Sequence, residues 1–167
     1  MHGGGKKGTN KPFPSVPVLL DVSKREGLLS RPIIVLYGRL PKWHPWKEIF
    51  ERGKIKTIND LVQKDASKLR IGLQLEPRLV YYIQKGLEKI GLSLVHNPVR
   101  SGTPIEKLNF EGMSARSRAR AINSLKKAGI YTAEEVLSLD YANLVTIPGI
   151  GAKTHKTAIR ESKAGTK

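Results

Sequence analysis

The stretch 144–159, "LVTIPGIGAKTHKTAI", holds two glycines two residues apart, a proline before them and a basic run behind them. Gly149 suits a tight turn of the kind that needs positive φ. Gly151 has no side chain, so the backbone there admits the close approach of a ligand. The residues that follow read as a helix, and the first N–H groups of a helix have no intrahelical partner. Together with the helix dipole they attract anions. Lys153 and Thr154 fall in the first turn of that helix, where an ammonium and a hydroxyl add to a phosphate contact, and Lys156 extends the basic run. A hydrophobic residue, then Pro-Gly-Ile-Gly, a basic residue and a helix make the helix-hairpin-helix pattern. It implies a grip on a nucleic-acid backbone that reads no sequence by itself.

The composition points the same way. The chain has 167 residues, with 30 Lys and Arg against 14 Asp and Glu, for a net charge of +16. A soluble domain typically needs a net charge of only about 2 to 8, so the excess calls for a polyanionic partner. The charge is spread: residues 1–38 carry net +4, 39–100 net +7 and 101–167 net +5. Hydrophobic residues make up 39% and aromatics 6%, which favours two small helical cores over one large one. There is no cysteine, which excludes disulfides, thiolate metal sites and a cysteine nucleophile. No apolar run approaches the ~20 residues of a membrane span. The N-terminal residues lack an apolar signal core. The expectation is a cytoplasmic, nucleoid-associated protein with no membrane partner.

Outward from the turn, the chain divides by pattern. Residues 1–18 are rich in Gly, Pro and Lys and read as a flexible basic tail. Residues 19–40 contain "PIIVLYG", 32–38, expected as a short strand or extended segment packing on the first helical unit. Residues 41–94 read as a helical unit, with Pro45 near one helix start and Gly53 at its end. Thr57 with Asp60 resembles a capping box, and Gly91 reads as a C-terminal cap. Residues 95–104 read as a linker, 105–162 as a second helical unit and 163–167 as a tail. In the second unit one helix starts near Ser114 and ends at Gly129, and Thr132 with Glu135 forms a capping box.

The halves match at a spacing of about 75 residues. Ile55 pairs with Ile130, Thr57 with Thr132, Leu61 with Val136 and Asp65 with Asp140. The expected architecture is mainly α: two tandem small helical domains behind a basic tail.

Residues 105–162 resemble the C-terminal domain of the bacterial RNA polymerase alpha subunit. The resemblance runs through "IEKLNF" and then "SRARAINSLKKAGIYTAEEVLSLDYANLVTIPGIGAKTHKTAI". It rests on Arg120, Asn123, Leu125, Lys126, Gly129 and Ile130, and later on Gly151, Lys153 and Thr154, with threonine where the family usually has serine. The resemblance implies that Arg120 enters an A·T-rich minor groove, that Asn123 bonds nearby, and that Gly151, Lys153 and Thr154 hold phosphates. An A·T-rich minor groove is narrow and strongly negative, which favours an inserted guanidinium. Arg116 and Arg120, four apart, share a helical face, whereas Arg118 points elsewhere. The candidate nucleic-acid-binding set is therefore Arg116, Arg118, Arg120, Asn123, Lys126, Gly149, Gly151, Lys153, Thr154 and Lys156.

The first copy is degenerate. Pro45 and Glu48 stand opposite Arg120 and Asn123, and "GLQLEPR" opposite "PGIGAKT". Lys54, Lys56, Lys68, Arg70 and Arg78 leave it a second, weaker backbone contact.

His2, His44, His96 and His155 are scattered without metal-ligand spacing, and no phosphate loop or nucleophile elbow is present. No enzyme activity, cofactor, metal or small-molecule substrate is expected. Two alternatives accompany duplex-DNA binding in transcription. One is an RNA-binding structural component of a ribosome or other ribonucleoprotein. The other is a protein adaptor docking on RNA polymerase.

Overall fold

The computed structural model describes residues 22–95, 101–108, 110 and 112–151, and every regular element among them is helical. The first half holds α1 (Val22–Leu29), α2 (Ile34–Tyr37), α3 (Trp46–Arg52), α4 (Ile58–Val62), α5 (Ala66–Gly72) and α6 (Pro77–Glu88). The second half opens with a single 3-10 turn, Ile105–Lys107, followed by α7 (Ala115–Lys127), α8 (Ala133–Ser138) and α9 (Tyr141–Val145). The chain is mainly α, as its sequence pattern predicts. The tails 1–18 and 163–167 lie outside the described residues.

Helix starts sit where the polar caps sit. Thr57 accepts a bond from Asp60 N–H, and the Asp60 carboxylate returns bonds to the backbone N–H of Thr57 and Lys56. Those backbone bonds hold the Asp60 carboxyl below its ordinary range. Thr132 and Glu135 build the same box on α8. Asp65 and Asp140 cap α5 and α9 with matching extended backbone, and Ser114 caps α7. Each such cap contributes about 1 kcal/mol.

Behind the caps lie two sets of buried side chains. The first is built on Leu36, Phe50, Ile58, Leu61, Leu69, Ile83 and Leu87. The second is built on Ile105, Leu125, Ile130, Val136, Leu144 and Ile147.

Geometry recurs 75 residues apart. Lys54 and Gly129 both take positive φ, 53° and 76°, as do Gln74 and Gly149, at 51° and 88°. Ile55 N–H bonds the Phe50 carbonyl at 2.8 Å, and Ile130 N–H bonds that of Leu125 at 3.0 Å. Isolated β-bridges join Pro32 to Thr57 and Pro104 to Thr132.

These bridges correct two expectations. The segment "PIIVLYG" is not a strand. Ile33, Leu36 and Leu40 are buried while Ile34 is 64% exposed, so the apolar face has helical spacing and α2 forms. Among the described residues only the Pro32 bridge reaches it, so it has no ladder to join there. It packs into the first core as that unit's own lead-in, the counterpart of Pro104–Leu108. The linker is also shorter than its composition suggests. Val95 N–H bonds the carbonyls of Val62 and Lys64, and Thr103 accepts from Ala133 N–H at 2.9 Å.

The two halves pack closely. α6 lies against α7 and α9. Lys127 reaches across to Glu88 at 2.9 Å, and Glu88 also takes Lys85 at 3.2 Å. Arg70 meets Glu135 at 3.4 Å, with Ser67 Oγ on the same carboxylate oxygen at 3.3 Å. At Gly129 a Cβ would stand 2.8 Å from the carbonyl carbon and oxygen of Ala66.

Two outcomes follow from this junction. Gly129→Ala combines an unfavourable φ with a backbone collision and should cost at least about 2 kcal/mol, read as a lower urea midpoint. Burial opposes ionisation of Glu88, but hydrogen bonds from Lys127 and Lys85 outweigh it and hold its carboxyl below the ordinary 4.5. The resulting stability is full above that value, shrinks below it and is gone beneath the lowered folded value. Glu88→Gln should therefore melt below the native protein at neutral pH, with the gap closing in acid.

Candidate nucleic-acid interface

α7 sorts its residues by helical period. Ala121, Ser124, Leu125 and Ala128 are buried in the second core. Arg116, Arg120 and Asn123 are exposed. With Lys127 they form one stripe, each residue three or four from the next. The stripe ends at the junction, where Lys127 is tied to Glu88.

Arg118 and Lys126 leave this stripe. The Arg118 guanidinium donates to the Glu106 carbonyl at 2.8 Å, and Lys126 pairs with the Glu106 carboxylate. Both cations thus pin the Ile105–Lys107 turn against α7. The exposed candidate set on this helix narrows to Arg116, Arg120 and Asn123. Pairing by Arg118 and Lys126 across 12 and 20 residues leaves no local signal in the sequence.

The turn 147–150 sits on the same helix. Ile150 N–H bonds the Ile147 carbonyl at 3.0 Å, and both side chains are buried. Pro148 at the second position and Gly149 with φ 88° at the third are the residues a type II turn requires. A Cβ on Gly149 would also come within 2.8 Å of Ser124 Oγ. Ser124 is four residues beyond Arg120, so the turn packs about one helical turn along α7 from that residue. Gly149 therefore serves the fold. Gly151 is exposed, has no positive φ, and has open space among the described residues where a Cβ would go. Lys153, Thr154, Lys156 and the helix expected to carry them lie outside the described residues.

The first half shows what the same framework becomes without the glycines. Gln74 occupies the geometric place of Gly149, one residue off the register expected from sequence. Glu76, in the place of Gly151, is the N-cap of α6, Pro77 is its first residue, and Arg78 pairs back to Glu76 at 2.6 Å. Arg78 also lies 5.1 Å over the Trp43 ring. A carboxylate paired with a guanidinium therefore stands where the second half leaves an uncharged glycine. Of the five basic residues expected to give a weaker contact here, Arg70 and Arg78 are engaged within the chain, while Lys54, Lys56 and Lys68 are exposed.

Among the described residues no group of three or more His, Asp or Glu is placed to hold a metal ion. No helix among them is long and apolar enough to cross a membrane.

Residues 118–164 match the family model of the SAM-like helix-hairpin-helix tandem. The match begins in α7 and runs through the 147–150 turn, so this part of the chain is a helix-hairpin-helix domain, an element associated with nucleic-acid binding. Neither a curated protein nor a solved structure matches the chain.

The two hairpin glycines should separate in a stability assay. Gly149→Ala should lower the unfolding free energy by about 1 to 2 kcal/mol, chiefly through its left-handed backbone. Gly151→Ala should stay within about 0.5 kcal/mol of the native protein. Equal losses at both positions would mean that Gly151 is also held by packing.

Proposed function

We propose that the chain is a non-catalytic nucleic-acid-binding protein whose second half grips duplex DNA through the minor groove and the phosphate backbone, in the manner of the RNA polymerase alpha C-terminal domain that residues 105–162 resemble. The observation that carries this is the placement of the hairpin turn on Ser124, one helical turn from the exposed Arg120. A backbone clamp and a groove-entering cation then act on neighbouring parts of one duplex. Arg120 reads the narrow, negative A·T-rich groove, and Asn123 bonds beside it. The 147–151 turn and the cations beyond it hold the flanking phosphates. Two copies of one helical unit share the framework, and the first copy, with Glu76 at its hairpin, holds the second in place. Transcription, with RNA polymerase as a protein partner, and a nucleoid-associated cytoplasmic location are part of this reading.

A second reading is favoured by the spread of charge, with residues 1–38, 39–100 and 101–167 carrying net +4, +7 and +5. A protein embedded in a ribonucleoprotein needs charge along its whole length, whereas a site-specific DNA reader needs it at one face.

Titration of the full chain and of Arg120→Ala against an A·T-rich duplex, a G·C-rich duplex and a structured RNA, at several salt concentrations, separates the two. Minor-groove reading predicts that the A·T duplex binds best and that Arg120→Ala loses about 1 to 3 kcal/mol on it, together with most of the preference. Log affinity should fall with log salt by roughly 0.9 for each phosphate contacted. Best binding to RNA, with Arg120 indifferent, would put the protein in a ribonucleoprotein instead.

A further inference from the structure

A cleft of about 530 Å³ runs from the hairpin turn to the first half of the chain. Its walls include Pro148 of the turn, Tyr81, Tyr82, Lys85 and Lys89 of α6, and Arg39 of the loop after α2. The two tyrosine rings stand 5.7 Å apart at 83°. Tyr81 leans on the second core and Tyr82 on the first, and Tyr82 also meets the Trp43 ring edge-on at 6.1 Å. Both rings are thus held by packing while remaining partly exposed. The cleft's lining contains no carboxylate. Lys85 shares Glu88 with Lys127, but Arg39 and Lys89 have no carboxylate partner among the described residues. A second cleft, beside His44, is lined by Glu48 and Glu76 as well as Arg52, and so lacks the carboxylate-free lining of the first.

Fixed aromatic rings flanked by cations are what an unpaired base with its phosphates requires. Stacking holds the base regardless of its identity, and the cations follow the backbone. Duplex DNA cannot offer a base to such a cleft, because its bases are stacked on one another. We propose that this cleft binds an unpaired nucleobase of a strand that leaves the duplex held on the hairpin turn. Pro148 connects the two places directly, since it adjoins Gly149. The inference rests on the nucleic-acid-binding reading above and adds a ligand to it: a junction between double and single strand.

Fluorescence anisotropy of the full chain tests this with three labelled probes. One is a blunt A·T-rich duplex, the second carries a short single-stranded extension of either polarity, and the third carries the same extension without bases. The base-bearing extension should bind about tenfold more tightly than the abasic one. Tyr82→Leu, which keeps an apolar side chain against the core, should abolish that difference and leave the blunt duplex unchanged. Lys89→Ala, at an exposed position that does not threaten folding, should weaken both extended probes alike. Equal binding of the base-bearing and abasic extensions by the native chain would overturn the cleft assignment, and so would retention of the difference in Tyr82→Leu. In either case binding of the blunt duplex would leave the nucleic-acid-binding reading standing. Failure of all three probes to bind would remove that reading and the cleft assignment with it.

Discussion

One carboxylate, Glu135, joins local structure to the packing of the two halves. One of its oxygens accepts the backbone N–H groups of Tyr131 and Thr132, at 2.8 and 3.2 Å, and so starts α8. The other meets Ser67 Oγ and the Arg70 guanidinium from the first half. A helix cap alone contributes about 1 kcal/mol, but this one also fixes where α8 sits on the first half. Gly129 adds the steric part, because only a residue without Cβ lets that corner rest on the Ala66 backbone. The junction anchors the C-terminal end of α7 through Lys127 and Glu88. Arg116, Arg120 and Asn123, further along the same stripe, remain exposed.

The two halves put one geometry to different ends. Positive φ recurs at Gln74 and Gly149, and extended backbone follows at the cap that Glu76 provides. In the first half the following helix begins on a carboxylate whose neighbouring guanidinium neutralises it, and an aromatic ring covers that guanidinium. The charges of Glu76 and Arg78 offset each other at this end. In the second half the corresponding position is a glycine that neither its own backbone angle nor a described neighbour demands. Differences of a few side chains thus give the two turns different surroundings: a Glu76–Arg78 ion pair in the first half and an uncharged, exposed Gly151 in the second.

What could be read from the residues alone was mostly local. The capping boxes at Thr57 and Thr132 obey spacings of three residues and both form, and a helix starts at Ser114 as expected. Helical period correctly put Arg116 and Arg120 on one face and Arg118 on another. The matches 75 residues apart were visible because they fall on caps and core positions. Long-range consequences stayed hidden. Glu135 looked like a capping residue and no more, since Arg70 and Ser67 are more than sixty residues away. Gly129 looked like a helix end, although its closest constraint is the Ala66 backbone. Lys126 looked like a DNA contact, but it pairs with Glu106. The short run at 32–38 favoured a strand by its β-branched residues, and only its burial pattern shows the helix. At the hairpin, the residue pattern assigned Gly149 the positive-φ turn and Gly151 only an open backbone, and the angles agree: φ is 88° at Gly149 and not positive at Gly151.

Duplexes in which inosine replaces guanine test the minor-groove account most directly. Inosine–cytosine pairs keep the major-groove edge of a G·C pair but lack the amino group that marks it in the minor groove. Affinity of the full chain would be measured on three duplexes of one length, built from A·T, G·C and inosine–cytosine pairs. Entry of Arg120 into the minor groove predicts that the inosine duplex binds like the A·T duplex and more tightly than the G·C duplex. An inosine duplex that binds like the G·C duplex, while A·T stays preferred, would place recognition in the major groove and contradict the account.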